Sequence, residues 1–205
     1  MGLLRSLFGP SKAEIWQQLC DQTGGTFVEG GFFRGSKALL QHEEWTLTLD
    51  TYTVNSGNNS STTYTRMRAP YVNADGFRFE VYREGLFSGL GRMFGMQDVE
   101  VGQPEFDRDF VIKGNSDAKL RALFASAKIR ELIRCQPRIN FSVRDDEGWF
   151  STQFPDGVDE LRFSCVGVIK DLNQLKDLYD LFAETLEHLC EIGSAYEDPP
   201  NVDLK

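Results

Sequence analysis

The run Trp45-Thr46-Leu47-Thr48-Leu49-Asp50 alternates apolar and polar residues at every step. A strand sends successive side chains to opposite faces, so this run forms a strand with one core face and one polar face. The pattern recurs: residues 62–70 set Tyr64, Arg66 and Arg68 against Thr65, Met67 and Ala69, and the polar stretch 55–60 between the two runs reads as a hairpin loop. Phe77, Phe79 and Val81 mark a third such face, and Ile139, Phe141 and Val143 a fourth. Further strands are expected over residues 26–34, 110–113, 149–154 and 160–168. Two-faced strands following one another make antiparallel sheet, and the first half reads as a meander.

Helical signals frame and interrupt the strands. Ser11-Lys12-Ala13-Glu14 is a capping box, Ile15, Trp16, Leu19 and Cys20 supply an apolar stripe, and Gly24-Gly25 end the helix. A basic helical stretch is expected over 117–135, broken near Ser126. The last helix covers about 171–192, with Leu172, Leu175, Leu178, Tyr179, Phe182, Leu186 and Leu189 on one face and Asp177, Asp180, Glu184, Glu187 and Glu191 on the other. The chain thus reads as one α+β domain over 11–192: antiparallel sheet with an N-terminal helix, a central basic helix and a long C-terminal amphipathic helix. An N-terminal arm (1–10) precedes it, and an acidic, extended, mobile tail (193–205) follows.

Charge narrows the function classes. Residues 1–144 hold 18 Lys/Arg against 16 Asp/Glu, and residues 145–205 hold 4 against 15. An acidic last third repels phosphate backbones, so nucleic acid is not an expected partner. The four cysteines are scattered with no paired metal-ligand spacing, which predicts reduced thiols, no metal centre, no cofactor and a cytoplasmic setting. No apolar run has the length of a membrane span. The arm matches the short myristoylation pattern through Gly2 and Ser6, and Leu3, Leu4, Leu7 and Phe8 allow a weak membrane-surface contact.

Catalytic constellations are missing, so no catalytic residue is assigned. His188 falls on the polar side of the last helix, and His42 has no ligand or acid–base partner at a readable spacing. Asp145-Asp146-Glu147-Gly148 is what a hairpin turn needs. The glycine-rich loop 85–102 lacks the phosphate-loop ending and misses the dinucleotide spacing by one residue. It nonetheless carries Leu86, Phe87, Leu90, Arg92, Met93, Phe94 and Met96, either a lid folded onto the core or an adaptable surface for a ligand or partner. Arg66, Arg68, Arg78 and Arg83 lie on strands; where their faces coincide, they form a positive strip for an anion or an acidic partner.

Phe106-Asp107-Arg108-Asp109-Phe110, with Val111 next and a Lys/Arg-studded helix opening at Asp117, resembles a block found in uncharacterised bacterial domains of unknown function. There a similar block often sits beside transmembrane helices, which this chain lacks. The resemblance implies a bacterial origin and carries no functional residues. The expected function is a non-catalytic interaction or scaffold module that binds a protein partner or forms a homodimer. The alternatives are a carrier of a small apolar ligand or lipid beneath the loop 85–102, and an enzyme of unknown reaction.

Overall fold

The computed structural model describes residues 9–31, 35–56, 60–83, 96–145, 154–202 and 204. In these residues the expected helices form at their signals. Helix α1 (Lys12–Thr23) opens on the Ser11 capping box and closes at Gly24, whose φ of 73° is left-handed and suits glycine. Helix α2 (Pro104–Asp109) precedes the strand expected from residue 110 and carries no sequence signal of its own; Phe106 sits on it. Proline starts this helix, and the Asp107 carboxylate accepts from the backbone N–H of Val101 and Gln103 at 2.9 and 2.8 Å. The basic stretch is two helices, α3 (Asp117–Leu123) and α4 (Ala127–Arg134), because Ser126 caps a new N-terminus at the expected break. Helix α5 (Leu172–Glu191) is capped by Asp171 and buries Leu175, Leu178, Leu181, Phe182, Leu186 and Leu189.

The described strands are β1 (Thr26–Val28), β2 (Lys37–His42), β3 (Trp45–Ser56), β4 (Ser60–Asn73), β5 (Phe79–Arg83), β6 (Gln97–Asp98), β7 (Phe110–Gly114), β8 (Asn140–Arg144), β9 (Val158–Val166) and β10 (Ala195–Tyr196). They form one antiparallel sheet in the order β1-β2-β3-β4-β9-β8-β5-β7-β6, with β10 added to the end of β4. The meander holds through β4 and then breaks. Asn73 turns the chain away, its side-chain oxygen accepting from the N–H of Asp75 and Gly76, and β9 takes the place beside β4.

One face of the sheet is the core. A path of rings crosses it, from Phe110 to Phe106 (4.7 Å between centroids), Phe124 (5.6 Å), Phe79 (5.9 Å), Phe141 (5.6 Å) and Phe182 on α5 (5.6 Å). These edge and tilted contacts account for many of the chain's 16 phenylalanines. Phe106 and Phe110 are both buried in this path. The tail, expected extended, begins as β10, and farther on Leu204 is buried and its carbonyl accepts from Lys37 Nζ at 3.3 Å. No helix among the described residues is long and apolar enough to cross a membrane.

Candidate functional site: the polar face of the sheet

Strand parity assigns the other face. Opposite the core positions Leu49, Met67, Phe163 and Phe141, the register aligns Asp50 with Arg66, Tyr52 with Tyr64, Arg68 with Arg162, and Arg144 with Glu160. Ser142 pairs with both Arg162 and Glu80, so the same face continues onto β5. This face is polar and yet largely buried. Arg68 and Glu160 are fully buried, as is Ser142, and Asn140, Ser164, Glu80 and Arg162 are nearly so. Asp50, Tyr52, Tyr64, Arg66 and Arg144 are half-buried and form a rim. Buried charges are costly without partners, so the pairing of each group decides what the face can do.

Asp50 is fully engaged. It accepts from Arg66 Nε at 2.8 Å and Nη2 at 2.7 Å, a bidentate fork, and from Arg68 Nη2 at 2.8 Å. Burial would push the Asp50 carboxyl up, but the two guanidinium groups outweigh it and hold it below the usual carboxylate range. Burial likewise works to lower Arg66, and its bonds to Asp50 reverse that.

Glu160 is the opposite case. Neither carboxylate oxygen has a hydrogen-bond partner. The closest guanidinium nitrogens, Arg68 Nη1 and Arg162 Nη1, are each 4.0 Å away, beyond bonding distance. Burial pushes its pKa up, and the pull of Arg68, Arg162, Arg66 and Arg144 does not cancel that. Asn140 Oδ1, whose amide nitrogen donates to Glu80 at 2.7 Å, and the Tyr52 hydroxyl are likewise buried without partners. Arg144 donates to Ser142 Oγ at 3.3 Å, and burial together with the nearby Arg162 lowers its pKa. Arg162 and Arg66 both lie over the Tyr52 ring, at 5.9 and 5.1 Å, and Tyr52 stacks on Tyr64 at 5.1 Å.

Beyond the tyrosine pair the face turns apolar. Val54 and Val166, on the strands that carry Tyr52 and flank Tyr64, are 44% and 41% exposed, among the most exposed large hydrophobics of the described residues. From Glu160 to Val54 the face thus grades from charged floor through aromatic rim to bare aliphatic surface. At the other end, Thr46, Pro70 and Glu44 line an open groove of about 370 Å³ with residues 199–202 of the tail.

The four arginines singled out from sequence do not form one strip. Arg66 and Arg68 share the polar face. Arg83 falls on the helix side, where it lies 4.5 Å over the Phe110 ring and donates to the Arg134 carbonyl at 3.3 Å. Arg78 sits before β5, at the end of the sheet, and pairs with Asp145 at 2.6 Å and Asp159 at 3.2 Å. The cations that join Arg66 and Arg68 are instead Arg144 and Arg162. Both stand at polar positions of alternating runs, so their parity was readable; the adjacency of β9 and β4 was not. Of the loop set, Leu86, Phe87, Leu90, Arg92, Met93 and Phe94 lie outside the described residues, as do Leu3, Leu4, Leu7 and Phe8. Met96 is half-buried just before β6.

Neither histidine belongs to this face. The fold gives His42 a partner that sequence spacing hid: its Nε2 is 2.8 Å from Glu187 Oε1 on α5, and Glu43 is close enough to make a three-residue cluster that could ligate a metal. Glu43 and Glu187 are exposed there, and His42 Nε2 already contacts Glu187. His188 is half-buried with Nε2 3.6 Å from Glu191.

No family model matches the chain, and no curated protein matches it. Among solved structures, the fold is similar to the crystal structure of the mycobacterial trehalose monomycolate transport factor A, TtfA, with a TM-score of 0.53. The similarity covers 87% of this chain and 94% of that one at 7% sequence identity, and is therefore a likeness of fold.

Proposed function

We propose that this chain is a non-catalytic module that handles an amphiphilic lipid, holding its polar head against the buried charged floor and its tail along the apolar end of the same face. The observation that carries this reading is the gradient from Glu160 and Arg162 through Tyr52 and Tyr64 to the exposed Val54 and Val166. A binding site for an amphiphile needs such a gradient, with a few placed polar groups at one end and apolar contact at the other. The fold likeness to a transport factor for trehalose monomycolate supports it. The carrier reading therefore rests on the sheet face and not on the loop 85–102. No histidine or cysteine joins the cluster, which favours binding over chemistry.

The test is a titration with dodecyl maltoside below its micelle concentration, followed by isothermal calorimetry and by the chemical shifts of selectively labelled tyrosines. Saturable one-to-one binding that shifts Tyr52 and Tyr64 supports the reading. An absence of heat and of shifts up to the micelle concentration overturns it.

A further inference from the structure

Resting on that reading, we infer that the head group taken by this face is a neutral polyhydroxyl group, a sugar, rather than a phosphate or carboxylate. Glu160 Oε1, Glu160 Oε2 and Asn140 Oδ1 are buried acceptors, and the Tyr52 hydroxyl is a buried group that both donates and accepts. An anionic head carries acceptors only. It would leave the three acceptors unmet and set a second negative charge beside a fully buried carboxylate. A hydroxyl accepts and donates at once.

Distances fit that role. Glu160 lies 4.0 Å from Arg162 Nη1 and 4.0 Å from Arg68 Nη1. Groups so separated do not bond each other, yet one oxygen can sit about 2.8 Å from both, accepting from the guanidinium and donating to the carboxylate. Asp50 draws Arg68 away from Glu160, holding it at 2.8 Å from the β3 side. The stacked Tyr52–Tyr64 pair adds an aromatic surface at the rim, 5.1 Å between ring centroids, against which the apolar face of a sugar ring can pack.

The experiment compares three amphiphiles with one twelve-carbon tail on the intact chain: dodecyl maltoside, dodecyl phosphate and dodecyl octaethylene glycol ether, each below its micelle concentration. Glu160→Gln and Arg162→Lys are titrated alongside, with thermal melting to establish that each is folded. Dodecyl maltoside binding at least tenfold tighter than the other two, with that preference lost in Glu160→Gln and reduced in Arg162→Lys, supports the inference. Tightest binding of dodecyl phosphate overturns it in favour of an anion site. Equal binding of all three also overturns it, while leaving the amphiphile reading intact, since only the tail is then recognised. Binding of none overturns both, and the orphaned acceptors are then met by ordered water.

Discussion

Asp50 and Arg66 face each other across the β3–β4 pair and are joined by two hydrogen bonds of 2.8 and 2.7 Å, with Arg68 completing a three-membered cluster through a third. Removing the carboxylate takes three charge-assisted hydrogen bonds from two guanidinium groups on a largely buried face. Asp50→Ala is expected to cost about 3 kcal/mol. In a chain of this size that lowers Tm by on the order of 10 °C, measurable by calorimetry; an unchanged Tm would mean that solvent replaces the carboxylate.

The same pair sets an acid limit. The Asp50 carboxyl is held below its ordinary value, about 3.9, so its contribution is complete above that pH and is lost as pH falls through the lowered folded value. The wild-type protein is expected to lose stability relative to Asp50→Ala as pH drops below about 4. Denaturant melts between pH 7 and pH 2.5 would show the two curves converging.

Glu160 predicts the reverse sign. A carboxyl raised by burial opposes folding once pH passes its unfolded value, about 4.3, because the folded state resists its ionisation. Glu160→Gln is expected to keep or raise Tm at pH 7, with the difference from wild type shrinking toward pH 4. A fall of more than about 5 °C at pH 7, roughly 1–2 kcal/mol, would show the carboxylate to be a paired structural charge.

Phe141 lies at the middle of the ring path, 5.6 Å from both Phe79 and Phe182, and is fully buried. Phe141→Ala opens a cavity between sheet and α5 and is expected to cost about 3–5 kcal/mol. The urea midpoint should fall with little change in slope; a changed slope would mean that the denatured or native state itself has been altered.

The cysteines should differ in reactivity. Cys135 is exposed, Cys20 and Cys165 are buried, and burial raises the Cys165 and Cys190 thiols to about 11. Thiolate is the reactive form. At pH 7.5 N-ethylmaleimide is expected to modify Cys135 first, with Cys20 and Cys165 reached only after unfolding, as peptide mass spectrometry would show. Early modification of Cys165 would contradict the packing of β9 on the core.

Sequence patterning settles local features. Alternation assigned the inward residues of β3, β4, β5 and β8, because period-two patterning records which face meets the core. The Ser11 capping box located one helix start, the break expected near Ser126 falls where α4 begins, and the periodicity of α5 gave most of its buried face but not Leu181, Ala183 or Thr185. The helix at Phe106 was missed, since its six residues are too few to display a period. The tertiary structure alone decided that β9 pairs with β4. Alternating strands look alike from one chain, and nothing in residues 62–70 names residues 158–166 as their neighbour. That pairing carries Arg162 and Glu160 to Arg68 and strands a buried carboxylate 4.0 Å from two guanidinium groups. The site exists because long-range pairing sets polar positions of separate strands side by side, and no local pattern encodes that choice.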